Sequence, residues 1–130
     1  MGEKITMGAW GERRAAEYLR SEGIKLVETN FRSKIGEIDI IALENNKTVL
    51  FIEVKTRAGL SQGLPCEAVN KHKMRRLSMV AAYYMSLNSV RASLGNMPEH
   101  RFDVIEILLL NGKAWLRHIR DAFRIGDAGA

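Results

Sequence analysis

The sequence predicts a mixed α/β domain, a β-sheet flanked by helices in the order αβββαββ. Three observations predict it. Two long segments carry apolar residues at helical spacing. The shorter apolar segments around them are bounded by turn residues and read as strands. One pair of those strands is joined by so short a turn that it must fold back antiparallel, whereas another pair brackets a whole helix, which permits a parallel, right-handed crossover.

The first helix runs from about Thr6 to Ser21 and closes at Gly23, with Ala15, Ala16 and Leu19 on one stripe. Lys25 to Asn30 reads as a strand and Gly36 to Leu43 as a second. Glu44-Asn45-Asn46-Lys47 is a turn, and Thr48 to Lys55 returns as a third strand. Gly59, Gly63 and Pro65 make Thr56 to Cys66 a loop. The second helix spans Glu67 to about Leu87, where Val69, Lys73, Leu77, Val80 and Tyr84 repeat at helical spacing. Asn88 to His100 is a polar connection. Arg101 to Leu110 is a long strand, and Asn111-Gly112 turns it into a last one, Ala114 to Ile119. The tail with Gly126, Asp127 and Gly129 is expected to fray.

The chain has 130 residues, 46% hydrophobic and 27% charged, which suits one folded domain with one core. Its formal net charge of +5 favours polyanionic partners such as nucleic acid. One cysteine, Cys66, excludes an intrachain disulfide and a Cys-based zinc site, and points to a reducing, cytoplasmic setting. No apolar run approaches the ~20 residues of a membrane span; the run from Val104 to Leu110 is interrupted by Glu106. The N-terminus lacks a secretory apolar stretch. Met1-Gly2-Glu3-Lys4-Ile5-Thr6 matches the loose myristoylation pattern, which nothing else in the sequence supports, and no membrane partner is expected.

The chemistry lies in the first hairpin. Side chains alternate along a strand, so Glu37, Asp39 and Ile41 share a face, with Ile38, Ile40 and Ala42 on the other. On the returning strand Phe51, Glu53, Lys55 and Arg57 share a face. Both strands are otherwise apolar on each side, as in a sheet covered by helices, where a charge is costly unless paired or bound. A turn centred near residues 45 and 46 sets Asp39 opposite position 52 or 53, so Asp39 and Glu53 become neighbours with β-carbons about 5 Å apart. Two carboxylates that close call for a cation, and a hard divalent ion such as Mg²⁺ meets the need.

Gly36-Glu37-Ile38-Asp39 followed by Phe51-Ile52-Glu53-Val54-Lys55-Thr56-Arg57 resembles the Asp…Glu-x-Lys signature of the PD-(D/E)xK nuclease superfamily. More closely, the chain looks like the YraN family of bacterial proteins, which is similar to archaeal Holliday-junction resolvases. Further positions carry the likeness: Gly8, Gly11, Glu12, Leu19 and Gly23; Asn30 and Arg32; Lys73, Arg76 and Leu77; and Arg101-Phe102-Asp103-Val104. Residue 38 is Ile, so the proline of the superfamily's name is absent.

The resemblance implies a restriction-endonuclease-like fold and a metal-dependent endonuclease acting on DNA, in particular branched or structured DNA. It implies Asp39, Glu53 and Lys55 as catalytic residues, Asp39 and Glu53 with Glu12 as ligands of Mg²⁺ or Mn²⁺, and a homodimer, as in junction-cutting relatives. Lys73 matches a position near the phosphate in related nucleases. With Arg32, Arg57 and Arg76 it completes the expected nucleic-acid contacts.

Each residue has an ordinary alternative. Asp39, Glu53 and Lys55 can form a purely structural charge cluster, and Glu12 a salt bridge. Glu37 can pair with Arg32 or Lys34, and Glu17 with Arg13 or Arg14. Lys73 can be a snorkelling lysine, and Lys71 to Arg76 a solvated helix face. Asp103 is read as an anchor for Arg101 or a loop. His72, His100 and His118 lack metal-ligand spacing; Trp10 and Trp115 read as core or edge packing. A non-catalytic nucleic-acid-binding module on the same scaffold, or a subunit active only with a partner, remains the alternative function.

Overall fold

A computed structural model describes residues 5–59 and 71–124. Its elements are α1 (Met7–Ser21), β1 (Lys25–Arg32), β2 (Glu37–Glu44), β3 (Thr48–Ala58), α2 (Lys71–Ser86), α3 (Asn88–Leu94), β4 (Glu99–Leu110) and β5 (Lys113–Phe123). The strands form one five-stranded sheet in the order β1-β2-β3-β4-β5. Neighbours are antiparallel except β3 and β4, which pair in parallel across the α2–α3 crossover. The architecture is the restriction-endonuclease-like mixed sheet flanked by helices.

Thr6 caps α1 by accepting a hydrogen bond from Ala9 N–H at 3.1 Å, satisfying one otherwise orphaned donor. The buried stripe of Gly11, Ala15, Ala16 and Leu19 then lays the helix on the sheet. Gly11 permits the close approach, because a methyl group there would collide with the Thr56 hydroxyl on β3. On this face Ala15, Leu19 and Ile24 pack with Ile40, Ala42, Leu50, Ile52, Val54, Ile105 and Ile107. The opposite face joins Ile41, Leu43, Val49, Phe51, Phe102 and Phe123 to Leu77, Val80, Ala81 and Tyr84 of α2. Truncating a fully buried leucine such as Leu19 or Leu50 would cost about 2–5 kcal/mol.

The structure departs from the sequence expectations in several places. The polar connection after α2 contains α3, a two-turn helix that buries Val90 and Leu94, four residues apart; two apolar positions are too few to set a visible period. The strands run longer than their apolar stretches, β3 reaching Ala58 and β5 reaching Phe123, because ladder pairing continues into polar sequence. Ile38 packs on the α2 side rather than with Ile40. The β2–β3 ladder ends at Ile40↔Ile52, and beyond it β2 follows β1 alone, through Phe31↔Ile38. Trp115 is 58% exposed on the edge strand instead of packing. Glu67, Val69, Cys66, the expected loop from residue 60 onward and the fraying tail lie outside the described residues.

Candidate functional site

The hairpin turn uses Asn45 and Asn46 at φ of 56° and 52°, the left-handed region asparagine tolerates. This sets the register Glu44↔Thr48 through Ile40↔Ile52. One step further, at Asp39, the β2–β3 pairing has ended. There the backbone ladder gives way to a side chain: Asp39 Oδ2 accepts a hydrogen bond from Val54 N–H at 2.8 Å. Asp39 is 9% exposed. Burial, and then the charge of Glu53, push its carboxyl up to about 7, with Glu12 and Glu37 adding to the effect.

Glu53 is held by α2. Lys73 Nζ lies 2.6 Å from Glu53 Oε1, and Lys55 Nζ lies 3.3 Å from the same oxygen. The two ammonium groups crowd one another. Burial and then the neighbouring Lys73 hold Lys55 below the usual lysine range. Burial opposes the Lys73 charge too, but the Glu53 carboxylate outweighs it and raises that amine.

Asp39, Glu53 and Lys73, but not Lys55, border a groove of about 600 Å³ between α2 and the start of β2, lined by Arg32, Ser33, Gly36, Glu37, Asp39, Glu53, His72, Lys73, Arg76 and Leu77. Gly36 lets the helix come near: a Cβ there would press on the Arg76 stem and Val80 at 3.1–3.3 Å. Asp39 and Glu53 form the acidic part. Arg32, Lys73 and Arg76 form the basic part, Arg76 Nη2 standing 2.8 Å from His72 Nε2, and Arg32 3.6 Å from Glu37.

Asp39, Glu53, Lys73, Arg76 and Arg32 are thus brought together, and Lys55 reaches the group through Glu53. Arg57 does not line the groove; it lies two positions beyond Lys55, where it acts electrostatically on Glu106. Glu12 is half-buried on α1 and acts on Asp39 through its charge. Among the described residues no three His, Cys, Asp or Glu side chains converge closely enough to hold a metal ion. The donor set is therefore a pair of carboxylates, which suits a hard divalent ion whose remaining ligands are water and phosphate oxygens. Burial first, and then the Glu53 charge, raise the Asp39 carboxyl, and a cation bound there would offset both. Such an ion would share Glu53 with two lysines. Glu17 pairs with Arg14 at 3.5 Å, an exposed contact away from the chemistry.

On the α1 face a second polar network links distant parts of the chain. Asp103 accepts from Arg101 Nε and Nη2 at 2.8 and 2.9 Å, from Asp121 N–H at 2.9 Å, and from His118 Nε2 at 2.7 Å. The Tyr18 hydroxyl lies 2.9 Å from His118 Nδ1. Glu44 bridges Arg101 at 3.1 Å and Arg120 at 2.6 Å. Asp103 anchors Arg101 as expected. His118 and Tyr18 were not expected here; residues 100 apart in sequence share no local pattern.

The family model and the curated relatives agree on one family. The model of "Uncharacterised protein family UPF0102" matches residues 11–107. A UPF0102 protein of Alkaliphilus metalliredigens is 44% identical over 118 residues, covering 91% of this chain and 97% of its own. One from Caldanaerobacter subterraneus subsp. tengcongensis is 42% identical over 123 residues, covering 92% and 96%. One from Rhodococcus opacus is 40% identical over 124 residues, covering 95% and 100%. Among solved structures, one titled "Crystal structure of SSO0001" aligns with a TM-score of 0.34 at 17% identity, over 93% of this chain and 53% of that one. With a family model spanning the helix α1 glycine, the Asp39–Glu53 hairpin and the Asp103 strand, the chain belongs to UPF0102, the YraN family its motifs resemble.

Proposed function

We propose that the groove is a metal-dependent phosphodiesterase site acting on nucleic acid, with structured or branched DNA as the substrate class. The observation that carries the reading is buried Asp39 under the charge of half-buried Glu53, set beside the cationic Arg32, Lys73 and Arg76 in one open groove. Mg²⁺ or Mn²⁺ bound by Asp39 and Glu53 would polarise a phosphoryl oxygen and acidify water. The chain's own groups do the rest. Val54 N–H fixes the Asp39 carboxylate in orientation. Lys55, kept low by burial, orients water at the phosphorus and stabilises negative charge in the transition state. Arg32 and Arg76 hold flanking phosphates, and Lys73 turns from Glu53 towards the phosphodiester as it enters. Glu12 adds negative charge behind Asp39.

The test is a cleavage panel of linear, nicked, flapped and four-way DNA with Mg²⁺ or Mn²⁺, run with wild type, Lys55→Ala and Asp39→Asn. Cleavage by the wild type alone supports the assignment; equal cleavage by both purified variants removes it. A second reading is a nucleic-acid-binding module without cleavage. The 2.6 Å Lys73–Glu53 contact favours it, since Glu53 then has its charge partner within the protein. That reading expects salt-sensitive binding to the panel and no product with either metal.

A further inference from the structure

The sheet carries its chemistry beyond the groove. Residues directly paired across strands point to the same side. Past Glu53 two rows follow, Lys55↔Glu106↔Arg117 and Arg57↔Leu108↔Trp115, and then Leu110↔Lys113. They lie on the same face as Phe51, Phe102 and Phe123, whose contacting rings are covered by α2. Among the described residues, the β5 side of these outer rows is open to solvent. Trp115 is 58% exposed, Leu110 37%, and the Arg117 side chain 63%. Glu106 is buried beneath them, its Oε2 3.9 Å from Arg117 Nε, within charge range of that exposed guanidinium.

We infer that this face docks an unpaired stretch of nucleic-acid strand, one base stacking on Trp115 and the neighbouring phosphates lying along Lys113 and Arg117 towards Lys55 and Glu53. The inference deepens the nuclease reading and rests on it for the strand's destination. An exposed aromatic ring between cations suits any unpaired base, because every base has a π-face and every linkage a charge. A duplex hides those faces. A second copy of this chain fits the surface less well. Two such faces brought together would oppose Lys113 and Arg117 of one copy to the same cations of the other, while the acid beside Arg117, Glu106, is buried.

The test is fluorescence anisotropy of the full chain with a fluorescein-labelled single strand of about 20 nucleotides, and with its blunt duplex, in EDTA. Trp115→Ala should weaken single-strand binding about tenfold, and Trp115→Phe should stay within about threefold of wild type. Duplex binding should be nearly unmoved by either variant. Joint replacement of Lys113 and Arg117 by Ala should lower the slope of log affinity against log salt by about 1.4 for the single strand. Sedimentation gives the oligomeric state of each variant.

Unchanged single-strand affinity in Trp115→Ala would overturn the inference. So would equal loss in Trp115→Phe, or a wild-type dimer that Trp115→Ala splits without touching affinity, which assigns the face to a second copy. Trp115-dependent binding by a wild type that cleaves nothing leaves the docking surface standing and removes the nuclease reading. Metal-dependent cleavage with Trp115-independent binding does the reverse.

Discussion

Asp39 and Asp103 are buried aspartates on opposite faces of one sheet, and the protein treats them in opposite ways. Asp39 is 9% exposed and Asp103 1%. Burial raises both carboxyls. At Asp103 the hydrogen bonds from His118, Arg101 and Asp121 N–H outweigh it, and the group is held at about 2. At Asp39 one backbone N–H faces burial plus the charge of Glu53, and the group is driven to about 7. A carboxylate that a fold uses for its own stability is surrounded by donors. One set beside a second carboxylate in an open groove is kept at a cost to the fold, as acids and ligands at working sites are.

The sharpest way to break this contrast is to remove each acid in turn. Asp103→Ala removes the acceptor shared by Arg101, buried His118 and the Asp121 amide, leaving Arg101 to Glu44 alone, and should cost about 3 kcal/mol in urea unfolding. Asp39→Asn should cost the fold nothing in EDTA, because it removes repulsion and leaves an oxygen to accept from Val54. Equal losses in the two variants would erase the distinction between a structural acid and a working one.

A divalent ion should act on one side only. If Asp39 and Glu53 hold it, Mg²⁺ at about one hundred times its Kd should stabilise the wild type by about 2.7 kcal/mol, read as a rise in Tm. Asp39→Asn and Glu53→Gln should lose the rise, and Asp103→Asn should keep it. An ion effect that survives Asp39→Asn would place the ion elsewhere.

Acid should separate the two groups by sign. Asp103 has a folded value of about 2, below its ordinary 3.8. Its contribution, about 2 kcal/mol, is therefore complete above pH 4 and is lost as pH falls towards 2. Asp39 has a folded value of about 7, above 3.8. Its proton stabilises the folded form at low pH, and that contribution is lost as pH rises from about 4 to 7 in EDTA. Urea midpoints across pH 2–8 for wild type, Asp39→Asn and Asp103→Asn check both limbs. Asp39→Asn should flatten the upper limb alone.

The two regions also differ in how far the sequence announces them. The Asp39–Glu53 pair was legible because strand alternation has a fixed period and a short asparagine turn constrains register; both are local rules. Lys73 was legible as sharing a helix face with apolar residues, but its 2.6 Å contact with Glu53 depends on how α2 sits over β3. The Asp103 network was legible only as Asp103 holding Arg101, two residues away. His118, Tyr18 and Glu44 join it from β5, α1 and β2, and no spacing connects them. Trp115, read as core or edge packing, lies 58% exposed on the edge strand, because alternation along β5 does not say that this strand ends the sheet. A helix carried by Val90 and Leu94 alone was beyond any periodic signal.

The smallest expected effect tests whether the α1 side is a network or a set of independent pairs. Tyr18→Phe removes one hydroxyl, whose 2.9 Å contact with His118 Nδ1 joins α1 to β5. The edge-on ring contact at 5.5 Å is retained by phenylalanine. A single hydrogen bond of this kind is worth about 1 kcal/mol, and His118, its side chain 4% exposed, has little water to replace it. Made in an Asp103→Ala background, the same change should cost less, by about 0.5 kcal/mol or more, because the imidazole has already lost the carboxylate that orients it. Strict additivity would reduce the cluster to separate contacts and leave Asp103 stabilised by Arg101 and the Asp121 amide without help from the helix.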